Sequence, residues 1–364
     1  MDHRAEWQVA GIYDPAAPDA AERLELLEWL AAQDIDTAAM VEACEQGQLN
    51  ALAADRKLRP GRRLSLVELA AGVGLPIDLV RSVHRSTGMP PATDDEPIYS
   101  EGDVQLFQLF AAASEVFSPT ELGHFTRVVG NSMRRIAEAA GAMFLRDVEA
   151  PIQEGHGGTQ LEMAKASLAG IELAHLAGGI FDPLFRAHLE MATRMVRRAR
   201  EGQLDYATMP LSIGFVDLSG FTSRSSTMSP DELLELVMTF EATSIDLVAE
   251  HGGRLVKLIG DEVMFSAVEP AEACAIAAGL VRQAARLAGG GRAGIAHGHV
   301  IASGGDVYGE IVNLAARIVD AAVPGEILVN EAVVARADGL RFDPAGRRQL
   351  KGFAEPVRLW SLEP

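Results

Sequence analysis

The spacing of the apolar residues changes near the middle of this chain, and that change constrains the fold more than any other feature of the sequence. Between residues 20 and 200 the apolar residues recur at helical spacing, and runs of β-branched residues are scarce. After residue 210, short β-prone runs alternate with longer helical stretches in the order β-α-β-β-α-β. This order predicts a ferredoxin-like sheet with its helices on one face, so the chain as a whole is predicted to be α+β.

A length of 364 residues agrees with two domains rather than with a single core. We expect an all-α domain over residues 1–195, a linker helix and linker over 196–209, and the sheet domain over 210–364. Local signals place several helix starts. Ser65, Ser118 and Ser229 are each followed three residues later by a glutamate, which is the pattern of a capping box.

The chain is acidic, with 51 aspartates and glutamates against 32 lysines and arginines and a formal net charge of −19. Both halves are acidic, which argues against a nucleic-acid partner, since such partners are bound by basic surfaces. An acidic protein that binds a polyanion usually recruits cations, so divalent metal ions are expected. The two cysteines, Cys44 and Cys274, are far apart in sequence and predict no disulfide framework.

The first residues, MDHRAEWQ, lack the basic segment followed by an apolar one that is typical of a secretory signal. No run of 18 apolar residues occurs, so we expect a cytoplasmic protein without a membrane span. Residues 65–89 have the spacing of a helix-turn-helix, with Gly74 near the turn. They fit either a DNA-binding unit or a compact helical hairpin, and the few basic residues of the second helix favour the hairpin.

Two aspartates occupy positions that a sheet can bring together. Asp217 ends one predicted strand, and Asp261 follows Gly260 in the predicted turn of a hairpin. Two carboxylates at one sheet edge repel each other unless they share cations, and paired Mg²⁺ ions would hold a triphosphate there. The alternative is that each aspartate only stabilises its own turn.

Three motifs carry a resemblance to a known family: IGFVDLSGFT at residues 213–222, RLVKLIGDEVMF at 254–265 and DVYGEIVNLAAR at 306–317. In this order they resemble the class III adenylyl cyclase catalytic domain. The resemblance covers residues 210–362 and implies conversion of ATP to 3′,5′-cyclic AMP and pyrophosphate. It also implies that Asp217 and Asp261 bind two Mg²⁺ or Mn²⁺ ions.

The same resemblance implies that Lys257 and Asp306 read the adenine, and that Asn313 and Arg317 orient the ribose and stabilise the transition state. The chemistry agrees with these roles, because adenine presents an acceptor at N1 and a donor at N6. Guanine presents the reversed pattern, and a guanylyl cyclase would need a glutamate in place of Lys257. Asn313 and Arg317 are four residues apart on a predicted helix and therefore share a face.

Lys351 resembles a family lysine that contacts the departing phosphates, with Arg347 and Arg348 as nearby alternatives and a solvated basic strand as the other interpretation. Phe221 and Thr222 follow the first aspartate, where their backbone N–H groups are expected to meet the triphosphate. Members of the resembled family form their active sites between two catalytic domains. One domain supplies the aspartate pair, and the other supplies the adenine-reading, ribose and transition-state residues. A chain with one complete set is therefore expected to form a twofold homodimer with two shared sites.

Residues 1–200 resemble the regulatory domain of soluble mycobacterial pH-sensing adenylyl cyclases, which inhibits the enzyme near neutral pH. The resemblance implies that the helical half restrains the catalytic half until a group is protonated. Histidine titrates in this range. His188, just before a basic helix end, is the candidate sensor, and His297 and His299 lie in the predicted strand Gly294–Ala302 of the catalytic half.

Two other functions fit parts of the sequence. GDEVMF at residues 260–265 is similar to a diguanylate cyclase hairpin, although that assignment leaves Lys257 and Asp306 without a role. Guanylate cyclase activity is a related alternative. A DNA-binding regulator with a nucleotide-sensing, cyclase-like domain would use the helix-turn-helix, but every expected catalytic residue is present.

Overall fold

The computed structural model describes residues 3–154, 158–200, 208–221 and 225–363. The chain divides into two compact units, Met1–Arg186 and Ala187–Pro364. The division falls inside one long helix, Gln160–Ala199, which contributes residues to both units. The α+β fold class predicted from the sequence is confirmed, with helices preceding a domain built on a sheet.

The first unit is helical, with one antiparallel bridge that joins Leu64 and Tyr99. Its helices are α1 (Arg4–Val9), α2 (Ala20–Ala32), α3 (Thr37–Glu45), α4 (Leu52–Leu58), α5 (Leu66–Val73), α6 (Ile77–Ser86), α7 (Glu101–Ala113), α8 (Pro119–Phe144), a π-helical turn (Leu145–Glu149), α9 (Ala150–Glu154) and α10 (Gln160–Ala199).

The three helices begin where their serines predict, and two of the three capping boxes are complete. Ser65 and Ser229 form complete capping boxes, in which the hydroxyl accepts a backbone N–H and the glutamate reaches back. Ser118 accepts the N–H of Glu121 at 3.3 Å, but the return bond does not form. The prediction of a complete box there was therefore wrong, although the helix does begin at the next residue, Pro119.

The predicted helix-turn-helix is present as α5 and α6, joined through Gly74 at a φ of +69°. Arg81, in the second helix, is held by both carboxylate oxygens of Asp94, at 2.8 and 2.9 Å, and by Asp78. His84 is buried and bonds to the carbonyl of Pro90 at 2.8 Å. These contacts engage two of the three basic side chains of α6 within the unit, which favours the compact hairpin.

Helix α10 is the segment, among the described residues, that is long and apolar enough to cross a membrane by length and composition alone. None of its most apolar stretch is buried. One such helix is weak evidence for a span, so the prediction of no membrane span stays a prediction.

The second unit contains the sheet. Beyond the end of α10 its elements are β1 (Met209–Leu218), α11 (Pro230–Glu250), β2 (Arg254–Ile259), β3 (Glu262–Ala267), α12 (Pro270–Ala288), β4 (Gly291–Ser303), β5 (Asp306–Tyr308), α13 (Glu310–Ala321), β6 (Ile327–Asn330), α14 (Glu331–Val334), β7 (Phe342–Arg348) and β8 (Val357–Leu362). The sheet order is β2-β3-β1-β4-β6-β8-β7, with β5 paired to β4. Its first four strands are antiparallel and have the ferredoxin-like order expected from β-α-β-β-α-β.

The two faces of the sheet pack against different helices. On β1, Val216 and Leu218 belong to a core with α11 and α12, whereas Ile213 and Phe215 belong to a core with α13. This alternation follows from the two-residue period of a strand. The two helices of the ferredoxin-like core share one face, as predicted, but α13 covers the opposite face. The expectation of a single helical face was wrong for that helix.

The end of α10 packs on the second of these cores. Ala199 is buried among its residues, and Met195 and Val196 contact it. Arg198 donates to Glu272 of α12 at 2.7 Å. The last turn of this long helix is therefore a structural part of the sheet unit.

Candidate active site

Asp217 and Asp261 lie at the same edge of the sheet. Asp217 is the penultimate residue of β1, and Asp261 lies in the two-residue turn between β2 and β3. The backbone N–H of Leu218 donates to the carbonyl of Asp261 at 3.2 Å, which ties the strand end to the turn. Gly260 has a φ of +66°, a left-handed conformation that a residue with a side chain rarely adopts. The glycine thus allows the tight turn that carries Asp261.

Negative charge accumulates at this edge. Burial raises the pKa of the Asp261 carboxyl, and the charge of Asp217 raises it further. Glu262, paired with Asp217 in the register of β1 and β3, has its pKa raised to about 7 by burial and then by Asp217. Neighbouring carboxylates repel each other when both are ionised, and a bound cation relieves that repulsion. The arrangement therefore suits a hard divalent ion.

Arg292 is a site residue that sequence reasoning missed. Its Nε donates to Oδ2 of Asp217 at 2.7 Å, and its Nη1 donates to the carbonyls of Asp320 and Ala322 at 3.2 and 3.3 Å. The signal that could have found it is a basic residue at the start of the apolar strand β4. One arginine against three carboxylates leaves the edge negative.

The donor set fits magnesium or manganese, since both prefer carboxylate oxygens. No group of three or more metal-ligating side chains occurs within the described ranges 3–154, 158–200, 208–221 and 225–363. Magnesium is usually held by one or two carboxylates together with the phosphates of a substrate. A pair such as Asp217 and Asp261 is sufficient for that mode of binding.

Lys257 and Asp306 form an ion pair, with 2.6 Å between Nζ and Oδ2. A register irregularity in β2 between Leu255 and Lys257 locally changes the direction of the strand. Burial raises the pKa of Asp306, but hydrogen bonds from Lys257 and from the N–H of Val307 outweigh it, so the pKa is lowered overall. Asp306 therefore remains an ionised acceptor beside a lysine donor.

The strand β5 positions Asp306. Gly304 and Gly305, with φ values of +60° and +81°, make the two-residue turn between Ser303 and Asp306. Two successive residues with a positive φ are typical of a tight hairpin turn, and glycine adopts this conformation because it has no side chain to clash. Asp306 therefore follows a two-residue glycine turn and begins the short strand β5.

Arg254 is the second residue that sequence reasoning missed. It is the first residue of β2, and its Nη1 donates to the carbonyl of Gly305 at 3.0 Å. Its place in the motif, three residues before Lys257, is the only signal that the sequence offers.

Asn313 and Arg317 lie on one face of α13, as their spacing predicts. Asn313 is exposed, and Arg317 donates to Asp320 at 2.8 Å on the surface of the helix. The buried face of this helix is made by Leu314, Ala315 and Ile318. The helix therefore presents both polar residues away from the core.

The remaining phosphate candidates differ in their surroundings. Lys351 is exposed in the turn between β7 and β8, whereas Arg348 is occupied by the carbonyl of Ala321 and by Glu326. Phe221 is partly buried against the core below α12, so its side chain anchors the loop after β1. Thr222 lies outside the described residues.

The histidines separate into accessible and inaccessible groups. His188 is exposed on α10. His297 is buried, with its ring 3.0 Å from the hydroxyl of Ser212, and burial lowers its pKa to about 4. A histidine with this pKa stays neutral between pH 5 and 8, so His297 is removed from the candidate sensors.

The predicted site residues thus form separate groups within one chain. Asp217 and Asp261 meet at one sheet edge with Arg292, while Lys257 and Asp306 meet at the β5 hairpin. No hydrogen bond or ion pair between described residues joins the first group to the second.

Comparisons with known proteins identify both parts of the chain. Residues 205–364 match the adenylate and guanylate cyclase catalytic domain, and residues 2–194 match the adenylate cyclase regulatory domain. An uncharacterised protein of Mycobacterium tuberculosis is 36% identical over 365 residues, covering 98% of this chain and 93% of its own. An adenylate cyclase of Streptomyces coelicolor is 30% identical over 316 residues, covering 83% of this chain and 81% of its own.

A pH-sensitive adenylate cyclase of M. tuberculosis is 29% identical over 368 residues, covering 94% of this chain and 88% of that protein. Among solved structures, an adenylyl cyclase of P. aeruginosa is similar at 22% identity and a TM-score of 0.41, over 43% of this chain and 95% of the other.

Proposed function

This chain belongs to the adenylate cyclases of class III, and we propose that it converts ATP to 3′,5′-cyclic AMP and pyrophosphate at a site shared between two copies. The observation that carries the choice of ATP is the ion pair of Lys257 with Asp306. In the reaction the 3′-hydroxyl releases its proton to solvent, and its oxygen bonds to the α-phosphorus. The bond from that phosphorus to the oxygen bridging the β-phosphate breaks, and its electron pair leaves with pyrophosphate.

Lys257 and Asp306 select the base. A lysine donor complements the N1 acceptor of adenine, and a carboxylate acceptor complements its N6 amino group. Guanine would place a carbonyl against the carboxylate and a donor against the ammonium, which leaves polar groups mispaired. Sites that reject a substrate in this way can discriminate by about 10⁴-fold.

Asp217 and Asp261 would hold two Mg²⁺ or Mn²⁺ ions together with the triphosphate. When bound, such ions neutralise phosphate charge and lower the pKa of a coordinated hydroxyl. The two aspartates bind and orient these ions, and Arg292 holds Asp217 by its Oδ2 atom at the end of β1. The raised pKa of Asp261 follows from burial and from Asp217, as expected for a site that binds a cation.

Asn313 and Arg317 act on the sugar and the α-phosphate. Arg317 can form two parallel hydrogen bonds to phosphate oxygens as charge develops, once it leaves Asp320. Loss of one such donor typically lowers the rate by about 10²–10³-fold. Lys351 and the backbone of Phe221 and Thr222 are assigned to the departing phosphates.

A homodimer supplies a complete site. Among the residues that the structure describes, no hydrogen bond or ion pair joins the metal-binding group to the base-reading group, so a twofold arrangement would combine the first group of one copy with the second of the other. Helices α8 and α10 also expose large apolar side chains that a second copy would cover. These include Phe125, Met133, Ile136, Leu176, Ile180, Phe185 and Leu189.

Residues 1–195 are proposed to regulate the catalytic half in response to pH, with 196–209 as the linker. The support is the matched regulatory domain and the similarity to a pH-sensitive relative. His188 is the candidate sensor because it is exposed on the helix whose end packs on the catalytic core. The proposal places the protein in the cytoplasm, where ATP is available.

The test of the function is product identification. The full chain is incubated with ATP or GTP and with Mg²⁺ or Mn²⁺, and the products are resolved by chromatography and mass spectrometry. We expect cyclic AMP from ATP and little product from GTP. Cyclic di-GMP or cyclic GMP as the main product would refute the proposed substrate, and specific duplex DNA binding without turnover would refute the enzymatic function.

A further inference from the structure

Arg254 has an unusual combination of burial and incomplete bonding. Burial lowers the pKa of its guanidinium, whereas the charge of Asp306 acts in the opposite direction. Its Nη1 donates to the carbonyl of Gly305 at 3.0 Å, but its Nε is buried and has no hydrogen-bond partner. A half-buried charge with an unmade hydrogen bond is a poor source of stability. Its presence at this position therefore calls for a role other than holding the fold.

The contact of Arg254 restrains the turn that carries Asp306. Gly304 and Gly305 are both left-handed, and glycine is the residue with the greatest backbone freedom. The hairpin is short, since only three residues on each side pair. A hydrogen bond to the carbonyl of Gly305, from a residue 51 positions earlier on β2, joins the turn to the body of the sheet.

Arg254 also acts on Asp306 through its positive charge. The charge of Arg254 contributes to lowering the pKa of Asp306, after the hydrogen bonds from Lys257 and Val307 and the charge of Lys257. Lys257 donates to Asp306 at 2.6 Å. When Lys257 turns to donate to a base, Asp306 loses its nearest counter-charge. Arg254 is the cation that remains, because it is fixed to the backbone of the turn and not to the carboxylate.

We propose that Arg254 is a positioning residue for base selection: it fixes the Gly304–Gly305 turn and supplies the constant positive charge that lets Lys257 leave Asp306 for the purine. This inference rests on the proposed function, since it concerns how the same site distinguishes adenine from guanine. Arg254 itself touches the turn and acts on the nucleotide only through Asp306.

The test compares three variants of the full chain with the wild type. Arg254→Met removes the charge at similar length, and Arg254→Lys keeps the charge without the planar guanidinium. Arg341→Met is the matched control, since Arg341 is an exposed arginine paired with Glu363. Folding is checked by thermal unfolding, and kcat and KM are measured for ATP and GTP.

For Arg254→Met we expect KM for ATP to rise about 10-fold with kcat within about 3-fold, the size expected for one charge-assisted hydrogen bond. The ratio of kcat/KM for ATP over GTP should also fall about 10-fold. Arg254→Lys should fall between Met and wild type, and Arg341→Met should match wild type. In an Asp306→Asn background, Arg254→Met should lower the ratio by no more than about 2-fold, because coupled residues are not additive.

An unchanged ATP-over-GTP ratio in folded Arg254→Met would overturn the inference, as would an equal fall in kcat for both nucleotides. If that variant does not fold, Arg254→Lys decides, and a wild-type ratio in the lysine variant overturns the positioning role. Wild type serves as the check on the underlying function. If wild type makes no cyclic AMP, the proposed function fails and this inference falls with it, whereas cyclic AMP with an unchanged variant ratio refutes the inference alone.

Discussion

Replacing Asp306 with asparagine tests the base-reading pair with the smallest change of shape. The substitution removes the negative charge and leaves one oxygen that can accept a hydrogen bond. Lys257 then loses an ion pair of 2.6 Å, and the N6 amino group of adenine loses a charged acceptor. We expect the wild type to discriminate between ATP and GTP more strongly than Asp306→Asn does. A carboxylate can only accept hydrogen bonds, whereas the amide of asparagine can also donate them.

The magnitude follows from the exposure of the two partners. The side chain of Lys257 is 43% exposed and that of Asp306 is 25% exposed, so solvent screens the pair and the loss of protein stability should be at most about 1 kcal/mol. In the proposed nucleotide complex the base would cover the pair, and a hydrogen bond to a charged group contributes about 1.5–3 kcal/mol. The value of kcat/KM for ATP should therefore fall about 10- to 100-fold, while that for GTP should change much less.

The assay measures initial rates of cyclic AMP and cyclic GMP formation by the full chain over a range of nucleotide concentrations. Asp343→Asn is the control, since Asp343 is an exposed aspartate on β7. Retention of kcat/KM for ATP within about 3-fold in a folded Asp306→Asn protein would refute the reasoning, because a single charged hydrogen bond would then contribute almost nothing.

Three further predictions concern assembly, regulation and pH. Asp217→Ala and Arg317→Ala should each be inactive, yet their co-expression should restore about a quarter of wild-type activity, since half of the dimers would carry one intact site; no recovery in isolated mixed dimers would refute the shared site. The fragment Ala187–Pro364, which keeps the end of α10, should be less sensitive to pH than the full chain between pH 5 and 8, and coinciding profiles would refute autoinhibition. Finally, His297 should destabilise the catalytic unit as pH falls, because its pKa is about 4 when folded and 6.5 for an unperturbed histidine. Between pH 6.5 and 5 the loss should be about 1.5 kcal/mol, and His297→Gln should remove most of that dependence in denaturant unfolding.

Each of these three experiments has its own control. For the complementation, two copies of one variant co-expressed with different tags should stay inactive. For the truncation, thermal unfolding should show that the fragment is folded. For His297, the test of the sign is the direction of the slope, since a stability that rises on acidification would contradict a lowered pKa.

The catalytic half was predictable in outline because its signals are local. The order β-α-β-β-α-β agrees with the sequence prediction, as do the start of α11 at Pro230 and the two-residue turn at Gly260 and Asp261. Each depends on the alternation of a few neighbouring residues, a capping serine or a glycine in a turn. The helical half was predictable only as helices, since helical periodicity does not determine which helices contact each other.

The identity of the site came from the resemblance of three motifs, which located Lys257 and Asp306 without showing how they meet. Physical reasoning on the sequence reached a pair of aspartates at one sheet edge and no further. It did not find Arg292 or Arg254, whose partners are Asp217 and Gly305, 75 and 51 residues away. Both contacts depend on which strands are neighbours.

The sequence by itself therefore determined the class of fold, the starts of most helices and the residue types available for chemistry. These properties arise from backbone preferences and from apolar periodicity, which act over a few residues. The tertiary structure decided which charges face each other, because the register of β1 against β3 and β4 places Asp217 opposite Glu262 and Arg292. It also decided that His297 is buried and neutral, since the pKa of a group depends on the charges and solvent around it and not on its neighbours in sequence.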